Sequence, residues 1–158
     1  MTTLLEQREI EAKVLVPFLE AAAARFGREP VEEVLLEVVR SLAQETGRTL
    51  ATESSGEEAV DRSLPRFSEK IAVWNEGGAL ESETLESTED RLSFDVTRCR
   101  YAEMYQRLGW SDWGQVLSCA RDFSLIEGFN KDVELNRSQT ILGGSRCCDF
   151  RFRRREES

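Results

Sequence analysis

What most constrains this 158-residue chain is a change of hydrophobic period near its midpoint. From Thr3 to about Phe26 the apolar residues Leu4, Leu5, Ile10, Val14, Leu15, Phe18, Leu19 and Ala22 recur mostly at three- and four-residue steps, the spacing of one helix face. Pro17 inside that run predicts a kink or break, and Gly27 a stop. A second helix is expected from Pro30 through Val31, Val34, Leu35, Val38, Val39 and Leu42 to Gly47, with the proline in its first turn. After the polar stretch Thr52 to Gly56, a weaker helical segment is expected from Glu57 to Trp74, interrupted at Pro65.

From Ala79 the pattern becomes that of strands. Ala79 to Cys99 reads as a hairpin turning at Glu89 to Arg91, with Leu92, Phe94 and Val96 on one face and Ser93, Asp95 and Thr97 on the other. A short helix should follow from Arg100 to Leu108, ended by Gly109. Ser111 is then placed to cap a helix over Asp112 to Glu127 that Gly128 ends. Asp132 to Leu142 and Cys147 to Arg153 read as two further strands around Gly143-Gly144-Ser145. The expected fold class is α+β: N-terminal helices (about 1–75), then an antiparallel sheet of about four strands with two intervening helices (about 79–153). The whole of 1–158 should form a single domain, because no strand-helix alternation demands a parallel sheet.

Composition narrows function. With 40% hydrophobic and 32% charged residues the chain is globular, and a domain of this length can enclose a pocket. A formal net charge of -9 repels phosphate backbones and anionic lipid, so neither nucleic acid nor membrane is an expected partner. No apolar run is long enough to span a bilayer, and the charged N-terminus lacks the apolar core of a signal peptide, so the cytoplasm is the expected location. A homo-oligomer is left open. The chain has no histidine, which excludes histidine zinc sites and Cys–His dyads within one chain. Phosphate-binding, dinucleotide and nucleophile-elbow motifs are absent as well. Cysteine and carboxylate remain.

Cys99, Cys119, Cys147 and Cys148 all lie in the last 60 residues of the chain, without disulfide-like spacing, and are expected to be reduced. Cys99 is placed where a strand hands over to a helix. The positive end of the helix dipole, with Arg98 and Arg100 on either side, would lower its thiol pKa; the alternative is a small buried residue at a junction. Cys119 and Asp122 stand three apart on a helix and share a face that Val116 and Ile126 suggest is buried. A buried carboxylate must be paired or used, and Arg121 is its nearest partner in sequence. In the last strand Cys148, Phe150 and Phe152 share one face, so Cys148 should point inward and Cys147 outward.

These residues carry a resemblance. Phe94-Asp95-Val96-Thr97-Arg98-Cys99-Arg100-Tyr101, Leu108-Gly109, Ser118-Cys119-Ala120-Arg121-Asp122, Thr140 with Gly144, and Cys148-Asp149-Phe150-Arg151 together resemble the L-2-amino-thiazoline-4-carboxylic acid hydrolase family. Glu9-Ile10-Glu11 and Phe26-Gly27 extend the similarity toward the N-terminus, and Cys147 is an extra cysteine beside the family's usual one. More distantly, Gly143-Gly144-Ser145-Arg146-Cys147-Cys148-Asp149-Phe150 is similar to the 4-vinyl reductase type of ligand-binding domain, which is related to TRAPP subunits. The resemblance implies a small-molecule substrate and hydrolytic opening of a cyclic amidine-like ring, giving N-carbamoyl-cysteine in the named member.

The leading expectation is therefore a C–N or C–S ring hydrolase. Its catalytic candidates are Cys119, Asp122, Cys99 and Cys148, the attack coming from a thiolate or from water activated by Asp122. Arg98 or Arg121 would hold a substrate carboxylate through the guanidinium fork. The first alternative is a non-enzymatic small-molecule-binding or sensor domain, for which an apolar pocket suffices. The second is a zinc ion held by Cys99, Cys119, Cys148 and Asp122, although their spacing matches no standard zinc motif; otherwise no cofactor is expected.

Overall fold

The structure, a computed structural model, describes residues 1–53 and 60–157. Thr3 opens α1 (Leu4–Phe26) with a capping box, its hydroxyl accepting from the Glu6 amide while the Glu6 carboxylate accepts from the Thr3 amide. Pro17 neither splits nor ends this helix. It is exposed, as is Lys13, whose carbonyl loses its helical partner and can turn to water instead. Gly27 (φ 92°) does end α1, and α2 (Arg28–Thr52) begins at once.

Gly47 does not stop α2, nor does Gly128 stop the helix that carries it. Both are points of contact. A Cβ on Gly47 would overlap the Leu125 carbonyl and the Phe129 amide, and one on Gly128 would overlap the Gln44 carbonyl. The two helices therefore cross almost backbone to backbone, which only glycine permits.

Pro65 starts α3 (Leu64–Ile71) rather than breaking it, with Ser63 as the N-cap; the expected start near Glu57 lies outside the described residues. A 3₁₀ segment (Ala72–Gly78) leads to β1 (Leu80–Ser87) and β2 (Arg91–Cys99), the expected hairpin. The next helix, α4 (Arg100–Leu108), ends at Gly109 in the left-handed conformation (φ 76°), as its sequence requires. Ser111 is the first residue of α5 (Ser111–Gly114) and not its cap. The helix then widens into a π turn (Gln115–Cys119), marked by the Ala120 amide bonding the Gln115 carbonyl at 2.9 Å, before α6 (Arg121–Phe129). Of the last two strands, β3 (Val133–Asn136) is much shorter than expected and β4 is Cys148–Arg154.

The four strands form one antiparallel sheet in the order β1-β2-β4-β3. Val96 is paired with Cys148 and Phe94 with Phe150, so the alternating apolar residues of both strands meet on one face. The Phe94 and Phe150 rings stack at 4.8 Å. Two apolar cores result. One joins the sheet to α3 and α6 around Phe67, Phe129 and Phe152; the other joins α1, α2 and α4 around Val16, Tyr105 and Trp113. Cys99 and Ile141 touch both. Among the described residues no helix is long and apolar enough to cross a membrane.

Candidate functional site

Between the two cores lies a cavity of ≈ 210 Å³, reached by side chains from nearly every element. Cys99, Cys119, Cys148, Asp122 and Arg121 all line it; Arg98 does not. Arg98 extends outward, bonded to Glu103 at 2.9 Å and Glu81 at 3.3 Å. Arg100 likewise turns away, to the Gly77 carbonyl at 3.3 Å. Pleat and helix both direct side chains adjacent in sequence to Cys99 away from it.

The electrostatics expected for Cys99 are thereby reversed. Its sulfur caps α4, accepting from the Ala102 amide at 3.4 Å. Burial still outweighs this bond and pushes the thiol up to about 11. Burial, then the neighbouring Asp122 carboxylate, pushes Cys119 up to about 12, and burial raises Cys148 as well. All three are neutral thiols at pH 7, so none is an activated nucleophile. Cys147 stands outside the cavity, half-buried beside Gln139. Alkylation by iodoacetamide at pH 7 is therefore expected to reach Cys147 well before Cys99 or Cys119. Peptide mapping would overturn this if either cavity thiol reacted first.

Asp122 is the titratable centre of the cavity. Burial lifts its carboxyl to about 6, against the opposing pull of Arg137. That guanidinium donates to the Asp122 carboxylate at 2.5 Å and to the Cys119 carbonyl at 2.9 Å, and lies over the rings of Phe123 and Phe150. The buried partner of Asp122 is thus Arg137, not the adjacent Arg121. Sequence gave no pointer to it, because Arg137 falls inside what reads as a strand. In the fold β3 has already ended, and the Asp149 carboxylate holds the next two residues by accepting from the Ser138 and Gln139 amides, each at 2.9 Å. Arg8, from α1, is a second guanidinium on the cavity wall that periodicity could not single out.

The central helix contributes four polar or thiol side chains to the cavity. Ser118 and Cys119 at the end of the π turn and Arg121 and Asp122 in the first turn of α6 all line it, and π turns are frequent at functional sites. Cys119 and Arg137 also line an open groove on the outside with Arg40, Glu127 and Thr140, so they separate cavity from surface. Among the described residues no three Cys, Asp or Glu side chains are grouped to hold a metal ion, the thiols favour their protonated form, and Asp122 is committed to Arg137.

Strand register separates the two adjacent cysteines. The buried Cys148 sulfur accepts from the Ile141 amide at 3.2 Å, tying the 141–144 turn to the sheet. Cys148→Ala is expected to cost about 1–2 kcal/mol in chemical denaturation. Cys147→Ala should stay within about 0.5 kcal/mol. Equal losses would mean that the two side chains are equivalent.

An antiparallel sheet backed by helices, with a pocket lined by thiols and guanidinium groups, defines an α+β domain. Over residues 7–152 the chain matches the model of the L-2-amino-thiazoline-4-carboxylic acid hydrolase family, and it belongs to that family. No curated protein matches the sequence significantly. Two solved structures share the fold. One is trafficking protein particle complex subunit 3 from Naegleria fowleri, covalently bound to palmitic acid, with TM-score 0.57 and 11% identity over 95% of this chain and 96% of that one. The other is the phenol-responsive sensory domain of the transcription activator PoxR with phenol, with TM-score 0.51 and 9% identity over 96% of this chain and 72% of that one.

Proposed function

We propose that this protein hydrolyses a small cyclic amidine-like ring of the 2-amino-thiazoline-4-carboxylate type, with Asp122 as the general base. The observation that carries the reading is the joint presence of Asp122, Arg121 and three thiols on one cavity, in a member of a family named for this chemistry.

The raised thiol pKa values move the nucleophile from sulfur to water. A carboxylate near 6 is ionised at neutral pH yet basic enough to accept a proton in the transition state. Water's oxygen adds to the amidine carbon as Asp122 takes the proton. The bond from that carbon to the ring sulfur breaks, Asp122 returns its proton to the sulfur, and the second water proton passes from the oxygen to the ring nitrogen. Substrate plus water thus equals the carbamoyl thiol. Arg121 is placed to hold the substrate carboxylate through its fork.

The test is incubation of the purified chain with 2-amino-thiazoline-4-carboxylate, with N-carbamoyl-cysteine followed by mass spectrometry. Enzyme-dependent product supports the hydrolase. Binding in calorimetry without product would favour the second reading, a non-catalytic ligand-binding or sensor domain. That reading draws support from the neutral thiols and from the commitment of Asp122 to Arg137.

A further inference from the structure

We infer that the ligand of this cavity is a monocarboxylate carried on an apolar body of aromatic size. This rests on reading the cavity as the ligand site, and it holds whether the ligand is turned over or only bound.

Charge decides the first half. Three guanidinium groups reach the cavity, against the Asp122 carboxylate. Arg137 is matched by Asp122 at 2.5 Å and Arg8 by Glu11 at 2.9 Å. Arg121 remains, without a hydrogen bond or ion pair to its side chain among the described residues. A desolvated guanidinium stays protonated, so it calls for one anion, and its planar fork fits a carboxylate. A second negative group would find no free cation among the described residues.

The second half follows from which polar groups are already satisfied. The Tyr101 hydroxyl donates to the Trp74 carbonyl at 2.9 Å, the Thr46 hydroxyl to the Leu42 carbonyl at 2.9 Å, and Ser118 is bonded to Tyr105 at 2.8 Å. A ligand rich in donors and acceptors would leave them unpaired against the remaining wall, which is Leu50, Trp74, Leu80, Val96, Leu125 and Phe150. At interior packing density the volume accommodates roughly ten non-hydrogen atoms. A carboxylate with a benzene-sized apolar group fills it.

Calorimetry on the full chain tests this with 3-phenylpropionate, its uncharged amide and acetate. The acid is expected to bind at least about tenfold more tightly than the amide, which lacks the charge, and than acetate, which lacks the body. Arg121→Gln should lower affinity for the acid by at least about tenfold and leave the amide unchanged, whereas Arg98→Gln should alter neither. Equal affinity for acid and amide, equal affinity for acetate, or no binding of 3-phenylpropionate at millimolar concentration would each overturn the inference. The comparison on the unaltered chain decides even if Arg121→Gln fails to fold. Turnover of 2-amino-thiazoline-4-carboxylate with no affinity for 3-phenylpropionate would leave the hydrolase standing and remove this inference alone.

Discussion

Asp122→Asn is expected to lower the rate of ring opening by at least about 100-fold, the usual contribution of a positioned general base. The amide keeps the carboxylate's shape and can still accept from Arg137, so circular dichroism should be unchanged. Wild-type activity should rise with pH through about 6 as Asp122 ionises. Removing Arg137, whose charge holds the Asp122 pKa down, should move that acid limb to higher pH in Arg137→Gln. The same titration carries a stability signature. Folded Asp122 binds its proton more tightly than the unfolded carboxyl, whose ordinary value is 3.8, so its contribution to stability is full below that value and is lost as pH rises through about 6. A Cys99→Ser, Cys119→Ser double variant should retain hydrolysis. Loss of turnover in it, with full activity in Asp122→Asn, would return the nucleophile to sulfur.

Gly128→Ala and Gly47→Ala are expected to destabilise the fold by about 3 kcal/mol each, by forcing α2 and α6 apart. For a chain of this length that is a fall in Tm of roughly 10 °C. The sign makes the test sharp. Helix propensity alone would have an interior Gly→Ala substitution stabilise by about 1 kcal/mol. An unchanged or raised Tm in either variant would show that the helices do not cross as closely as these two glycines require. Because α6 also carries Asp122, the separation should weaken ligand binding even in molecules that remain folded.

These outcomes depend on different levels of information. The helical first half, the hairpin from 79 to 99, α4 with its glycine stop, and the inward Cys148-Phe150-Phe152 face were all legible in sequence. Periodicity and capping are local, and burial on one face imposes them directly. Glycine and proline were misread for the same local reason. Gly47 and Gly128 look like helix ends until another backbone is seen beside them, and Pro17 and Pro65 look like breaks until the carbonyl they displace is seen to be exposed or the helix to begin there.

The site divides along the same line. Helical spacing put Cys119 beside Asp122, and the strand-to-helix junction located Cys99. That those residues share one cavity with Cys148 is a consequence of how two cores meet around Cys99. Arg137 as the partner of Asp122, Arg121 as the guanidinium left without one among the described residues, and Arg98 as a surface residue depend on contacts between segments far apart in the chain. The protonation states depend on them too. Sequence places charges next to a thiol along the chain, but a thiol's pKa follows from the charges and solvent around it in space, and here burial outweighs the helix terminus that adjacency pointed to.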